Sequence, residues 1–135
     1  MDKMKKILCG LKITCVLILC GLPYVVHADI SDQVRADLQM TLLKHIKGAS
    51  SNPDRLFRVY SSQINDVVGY RFNNLHPVII ERDEAFVLCV DFKDKNGDKV
   101  EIDFVLISSG AQFQVTQTIL NNRKNVMSYF RYGKK

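Results

Sequence analysis

Two neighbouring segments of this sequence alternate between apolar and other side chains, and a turn containing Asn96-Gly97 joins them. The segments cover residues 85–93 and 99–107. Because successive side chains of a strand point to opposite faces of a sheet, each segment predicts a half-buried β-strand. The short connection predicts that the two strands form an antiparallel hairpin. A chain built around this hairpin must bury one face of a sheet against a second layer.

The hydrophobic pattern also decides the length of the turn, because a slip of one residue would send half of the apolar side chains to the wrong face. A two-residue loop of Asn96 and Gly97 would place Phe92 opposite Glu101 and mix charge into the apolar face. A three-residue loop, Lys95 to Gly97, keeps the apolar residues together, with Gly97 in the left-handed conformation. It predicts three pairs: Phe92 with Val100, Val90 with Ile102, and Leu88 with Phe104.

A further strand is predicted after a second turn at Ser109-Gly110. The same test favours two loop residues here. It predicts three pairs: Leu106 with Phe113, Phe104 with Val115, and Ile102 with Gln117. Gln117 is then the one clear polar side chain on the predicted core face.

A helix is predicted ahead of the strands. Its apolar residues recur at a spacing of four: Val34, Leu38, Leu42 and Ile46. Ser31 is suited to cap the N-terminus, and basic residues precede Gly48, where they complement the helix dipole. We therefore predict a helix from about Asp32 to Lys47.

The remaining segments are less regular. Residues 54–63 fit either a helix or a strand, and we favour a short helix or an irregular segment. Residues 67–72 and 77–81 predict two more strands, and residues 121–135 could add a last strand or turn. The whole pattern predicts an α+β domain in which the N-terminal amphipathic helix covers the apolar face of a curled antiparallel meander. The other face is expected to be polar and solvated.

The N-terminus has the composition of a secretion signal. Four lysines between positions 3 and 12 precede an apolar run at residues 13–22, and Pro23 and Ala28 follow it. This is the charged and then apolar order of a cleavable leader. We therefore expect cleavage between Ala28 and Asp29 and a periplasmic or secreted protein.

Export leaves a single domain of residues 29–135, the size of one ordinary domain. A membrane span needs about 20 apolar residues, and the run in the leader is shorter, so it is predicted to be a cleavable signal and not an anchor. We therefore expect no membrane attachment after cleavage. Lipidation at Cys20 is the less favoured alternative, because Leu19 stands before it where lipoproteins usually carry a small residue.

Removal of the leader also changes the composition. It leaves Cys89 as the only cysteine, which excludes an intramolecular disulfide. It leaves 15 basic and 13 acidic residues, so the formal charge is +2 instead of +5. This balance does not indicate a nucleic-acid partner.

A helix followed by a curled antiparallel sheet that closes with residues 99–107 and 113–118 resembles the cystatin-like and nuclear-transport-factor-like fold group. The resemblance covers about half of the mature chain and implies the same α+β architecture. Residues 65–69, Asn-Asp-Val-Val-Gly, match the Gln-x-Val-x-Gly hairpin loop of cystatin inhibitors except at the first position. The chain has no tryptophan, so it lacks the Pro-Trp loop of those inhibitors.

Asp91, Glu101 and Asp103 are predicted to share the polar face of the sheet. They are the candidate catalytic residues, as an acid/base cluster, if the protein is an enzyme. We favour the other interpretation, a solvated face on which these carboxylates pair with lysines. Cys89 is predicted on the same face near Asp103, and nearby carboxylates raise the pKa of a thiol, which disfavours a nucleophile.

Metal-binding patterns are weak. Residues 94–98, Asp-Lys-Asn-Gly-Asp, do not have the ligand positions of an EF-hand and are better explained as a hairpin turn. His45 and His76 have no second ligand at metal spacing and are expected to be packing or surface residues. We therefore expect no metal or cofactor.

Three functions follow in order of preference. The first is an exported binding or assembly module that contacts another envelope or host protein, since catalytic motifs are missing. The second is a small enzyme with a pocket between helix and sheet, using Asp91, Glu101 or Asp103. The third is a protease inhibitor, as the resemblance implies. A homodimer through the sheet or through Cys89 is a further expectation.

Overall fold

A computed structural model describes residues 30–132, without the side chains of residues 131 and 132. The elements are α1 (Asp32–Ala49), β1 (Phe57–Ser61), β2 (Asp66–Arg82), β3 (Ala85–Lys93), β4 (Lys99–Ser109), β5 (Gln112–Leu120) and α2 (Arg123–Tyr132). The strands form one open antiparallel sheet in the order β1-β2-β3-β4-β5. The predicted α+β class and antiparallel meander are therefore confirmed. The predicted leader, residues 1–28, lies outside the described residues.

The predicted helix is confirmed as α1. The Ser31 hydroxyl accepts a hydrogen bond from the Val34 N–H at 3.3 Å, as expected of an N-cap. Leu38 and Leu42 are fully buried, and Ile46 is almost so. They pack on Phe92, Phe104 and their neighbours on the sheet, which form the main core.

The hairpin of β3 and β4 has the predicted register. The predicted pairs are present: Phe92 with Val100, Val90 with Ile102, and Leu88 with Phe104. Gly97 has φ +87° and donates its N–H to the Asp94 carbonyl at 3.1 Å. The Asp94 carboxylate accepts the backbone N–H groups of Asn96 and Asp98, so this acidic residue is used to close a turn.

Residues 54–63 contain strand β1, so the helix or irregular segment that we favoured is wrong. The Asn52 side chain bonds both the N–H and the carbonyl of Leu56, at 2.9 and 2.8 Å, and closes a turn at that point. Phe57 then enters the core, where its ring stacks on Phe92 at 5.3 Å. Tertiary burial of this aromatic ring outweighs a local helix start.

The two strands predicted at 67–72 and 77–81 are parts of one long strand, β2. Its first five residues pair with β1, and residues 71–82 pair with β3. Pairing with β3 is interrupted between Leu75 and Ile79, where residues 76–78 lie opposite Cys89 alone. This bulge absorbs Pro77, which has no N–H to donate to a ladder.

The hairpin of β4 and β5 has the predicted two-residue loop, but the loop is Gly110-Ala111, one residue later. Gly110 takes the left-handed conformation, with φ +63°. The bulge at Thr116, whose hydroxyl bonds the Val105 carbonyl at 3.1 Å, shifts the register again. The observed pairs include Leu106 with Val115, Phe104 with Thr118, and Val105 with Gln117. Gln117 is exposed and does not lie on the core face, so that prediction is wrong.

Residues 123–132 form helix α2 and not a final strand or turn. Val126 and Phe130, one helical turn apart, pack against Val87 and Val105 on the sheet face that α1 does not cover. A second, smaller core therefore lies under part of the face that the sequence predicted to be solvated.

Candidate functional site

The face of the sheet toward α2 carries a group of polar and charged side chains beyond the end of the second core. It consists of seven residues: His76, Cys89, Asp91, Lys99, Glu101, Asp103 and Arg123. We call these residues the polar cluster. Asp91 pairs with Glu101 and Cys89 with Asp103 across β3 and β4, so the predicted neighbours on one face are confirmed.

The expectation that this face is solvated is wrong at two of the three candidate carboxylates. Asp103 is 1% exposed and Asp91 is 8% exposed, whereas Glu101 is half-buried. Removing a carboxylate from water costs on the order of several kcal/mol unless a partner compensates for its charge. His76 on β2 and Arg123 on α2 are partners from outside the hairpin, and Lys99 at the start of β4 is a partner within it.

Asp103 is compensated by α2. Arg123 is the first residue of that helix, and its Nη1 donates to Asp103 Oδ1. Burial raises the pKa of the Asp103 carboxyl, and the positive charge of Arg123 opposes this rise without cancelling it. Sequence reasoning missed this pair because 20 residues separate its members and α2 was not predicted.

Cys89 lies beside Asp103 and is 1% exposed. Burial, with the charge of Asp103 as the second cause, raises the pKa of its thiol to about 12. The raised thiol pKa that we predicted is confirmed, and the thiol is no nucleophile at neutral pH. An intermolecular disulfide through Cys89 would require the sheet to open, so the buried position speaks against this form of the homodimer.

Asp91, His76, Lys99 and Glu101 form the other half of the polar cluster. His76 Nε2 lies 2.9 Å from Asp91 Oδ1, and Lys99 Nζ lies 3.2 Å from both Asp91 Oδ1 and Glu101 Oε1. Burial acts to raise the pKa of Asp91, but its interactions with His76 and Lys99 outweigh burial and lower it. The same carboxylates raise the pKa of Lys99.

His76 faces Asp91 because side chains alternate between the two faces along β2. Leu75 pairs with Val90 and faces the main core, so the next residue, His76, points to the opposite face, where Asp91 lies. The sequence contained one signal for this arrangement, since alternation from the apolar Leu75 places His76 on the opposite face. A search for a second ligand at short sequence spacing cannot find the partners of His76, because they lie on other strands.

The pocket that the enzyme alternative required is not where it was predicted. The centre of the interface between α1 and the sheet is filled by Leu38, Leu42 and Phe104, all fully buried. The candidate residues Asp91, Glu101 and Asp103 lie on the opposite face. These carboxylates therefore do not converge on a cavity beneath α1.

An open groove of about 480 Å³ lies instead at the N-terminal end of α1. Its apolar part includes Val34, Phe86 and Phe113, with the two phenyl rings edge to face at 5.4 Å. Glu81 and Glu84 also line it. Among residues 30–132, neither carboxylate has an ion-pair partner. We call this feature the acidic groove.

The acidic groove adjoins a turn with unusual backbone geometry. Asp83 and Glu84, which join β2 to β3, both have positive φ, 50° and 64°. Positive φ at both central residues is the geometry of a two-residue hairpin turn of type I′, which matches the twist of the flanking strands. The turn holds the Glu84 backbone in place at the edge of the groove.

Two other candidates from the sequence have structural explanations. The Asn-Asp-Val-Val-Gly segment lies at the hairpin of β1 and β2, with Asn65 in the turn and residues 66–69 paired with β1. His45 packs edge to face on Phe57 and Phe104, with ring centroids 6.2 Å apart in each case, and burial lowers its pKa.

No protein-family model, curated protein or solved structure matches this chain. The resemblance to the cystatin-like fold group therefore stays a prediction. Neither helix found between residues 30 and 132 has the length and hydropathy needed to span a membrane.

Proposed function

We propose that this chain is an exported binding module whose acidic groove accepts a segment of an envelope or host protein in which a basic side chain adjoins an apolar one. The observation that carries the proposal is the composition of the groove. An apolar floor lies next to two carboxylates that have no ion-pair partner among residues 30–132.

The apolar floor supports the choice of an apolar anchor. Val34, Phe86 and Phe113 line the groove and also pack against the main core, so the floor is held in place by the fold. Burying one large apolar side chain contributes about 1.5–3 kcal/mol. One anchor in this groove therefore accounts for roughly a tenfold to hundredfold gain in affinity.

The two glutamates support the choice of a basic neighbour. Both are exposed, so a Lys or Arg of the partner meets them at the rim of the groove and not in its floor. Rim charges steer association and select partners more than they add affinity. The proposal therefore predicts binding that weakens as the salt concentration rises.

A phage-displayed peptide library panned against the purified chain tests the proposal. We expect enriched peptides to carry Lys or Arg next to Leu, Ile or Phe. The charge-reversal variant Glu81→Lys/Glu84→Lys should bind these peptides at least tenfold more weakly in calorimetry. The matched control Asp66→Lys/Asp98→Lys has the same change in net charge on two other turns and should bind within twofold of the wild type.

Three results would contradict the proposal. The first is enrichment of peptides without basic residues. The second is an equal loss of affinity in the two double variants, which would indicate a general effect of net charge. The third is an affinity that does not change between low and high salt.

A further inference from the structure

On the opposite side of the sheet from the acidic groove, four side chains that can ligate a metal converge in the polar cluster. They are His76, Cys89, Asp91 and Glu101, and their ligand atoms all lie within 4.8 Å of one another. They come from three adjacent strands, β2, β3 and β4. We propose that these four residues bind one Zn²⁺ ion.

The geometry is close to what a tetrahedral zinc site requires. Ligand atoms at about 2.0–2.3 Å from Zn²⁺ in a tetrahedron stand about 3.3–3.8 Å apart. Since the largest separation in the cluster is no more than 4.8 Å, side-chain shifts of about 1 Å are sufficient. Three ligands sit on paired positions of the β3–β4 hairpin, which holds their backbones rigidly.

The donor types select zinc over the hard cations. One imidazole nitrogen, one sulfur and two carboxylates form a mixed set that suits a borderline metal, whereas Ca²⁺ and Mg²⁺ prefer oxygen ligands alone. Coordination by Cys89 forms a metal–sulfur bond and releases the thiol proton to solvent. No electron transfer is involved.

One carboxylate oxygen in the cluster is buried without a hydrogen bond. Asp91 Oδ1 is close to His76 Nε2 and to Lys99 Nζ, but neither donor is aligned for a hydrogen bond. Buried polar atoms in folded proteins nearly always have a directed partner. A cation between Asp91, His76 and Glu101 would give this oxygen the directed partner that it lacks.

Lys99 occupies the place next to the two carboxylates that the zinc ion would use. Its ammonium lies 3.2 Å from one oxygen of Asp91 and from one oxygen of Glu101, so it now supplies the positive charge of the site. Its side chain is 58% exposed at the start of β4 and can swing into solvent at low cost. A divalent ion and the Lys99 ammonium thus compete for the same two carboxylates.

The test is titration of the full chain with Zn²⁺ by calorimetry and with Co²⁺ by absorption spectroscopy. We expect one ion per chain, and a cobalt spectrum of tetrahedral type with a sulfur-to-metal charge-transfer band. His76→Gln should weaken binding at least tenfold, and Lys99→Gln should tighten it at least threefold. The matched control His45→Gln changes the histidine on α1 and should leave the affinity unchanged.

Both decisive variants alter side chains with solvent access, and circular dichroism verifies that each has folded. The proposal is overturned if His76→Gln binds metal as tightly as the wild type, because the metal would then bind without the imidazole of the polar cluster. It is also overturned if Lys99→Gln binds no more tightly than the wild type, because the polar cluster would then be only an ion-pair network. The proposal is likewise overturned if the chain binds no metal at a stoichiometric concentration of Zn²⁺.

Discussion

Replacing Arg123 with leucine measures how strongly the buried ion pair with Asp103 holds α2 on the sheet. Arg123 is the first residue of α2, and Asp103 is almost completely buried on β4. The variant places a shorter, apolar side chain at the same position. What it removes is the charge that compensates Asp103.

The expected loss of stability follows from burial. Leaving a buried charge without its partner costs about 3–5 kcal/mol. Two features reduce this figure, since the Arg123 side chain is 29% exposed and Asp103, whose pKa is already raised, can take up a proton. We therefore expect a loss of about 2–3 kcal/mol, a large share of the roughly 5–15 kcal/mol that stabilises an ordinary domain.

Urea unfolding followed by far-ultraviolet circular dichroism is the suitable assay, because the chain has no tryptophan. With an m-value of about 1.5 kcal/mol/M, the midpoint should fall by about 1–2 M. Lys124→Leu, one residue later on α2, is the matched control and should change stability by less than about 0.5 kcal/mol. The double variant Asp103→Leu/Arg123→Leu should recover to within about 1 kcal/mol of the wild type, since an apolar pair can replace a buried ion pair.

The reasoning is refuted if Arg123→Leu and Lys124→Leu have equal effects. It is also refuted if the losses from Asp103→Leu and Arg123→Leu simply add in the double variant, because a coupled pair must show non-additivity. In either case the apolar contacts of Val126 and Phe130 and the contact of Arg82 with Tyr129 would hold α2 without the ion pair.

Three further predictions concern the fold. Leu42→Ala removes a fully buried side chain from the main core and should cost about 2–5 kcal/mol in urea unfolding, so a loss below 1 kcal/mol would contradict the described packing. Gly69→Ala should destabilise by about 1–3 kcal/mol, because its Cβ would lie 2.8 Å from Leu56 Cδ1. Gly48→Ala lies in α1, where the added Cβ would have no atom within 4 Å, and should instead stabilise by about 0.5–1 kcal/mol. Changes in unfolding free energy of opposite sign in these two glycine variants are the check. Packing on Phe57 and Phe104 partly desolvates the otherwise exposed His45 ring and lowers its pKa, so the unfolded chain binds its proton more readily and a small part of the stability should be lost as the pH falls below 6.5. His45→Gln should reduce that loss between pH 7 and pH 5 in paired unfolding curves.

The central hairpin shows how far local patterns reach. Alternation and the turn glycine were sufficient to predict the register of β3 and β4, because both strands and their turn are contiguous in the chain. The register of β4 and β5 was predicted less well, because the loop lies one residue later than predicted and the bulge at Thr116 then shifts the pairing again. This bulge is accompanied by a bond from the Thr116 hydroxyl to the Val105 carbonyl on the other strand. A bulge adds a residue without changing the sequence pattern that precedes it.

The polar cluster was predicted only in part. Placing Asp91, Glu101 and Asp103 on one face needed the alternation alone, and this placement is confirmed. Pairing of these carboxylates with a lysine was also predicted, and Lys99 confirms it. His76 and Arg123 were not predicted as partners, because His76 lies on β2 and Arg123 on a helix that packs from the end of the chain. Neither partner lies near the carboxylates in sequence.

By itself, the sequence determined the elements whose free energy comes from near neighbours: the capped helix α1, the hairpin of β3 and β4, and the side of the sheet that each residue of this hairpin faces. Only the tertiary structure decided that residues 57–61 form a strand, that residues 123–132 form a helix, and that a polar face becomes half-buried. The reason is physical. Alternation shows which side chains share a face, but the burial of that face depends on distant segments that compete to cover it.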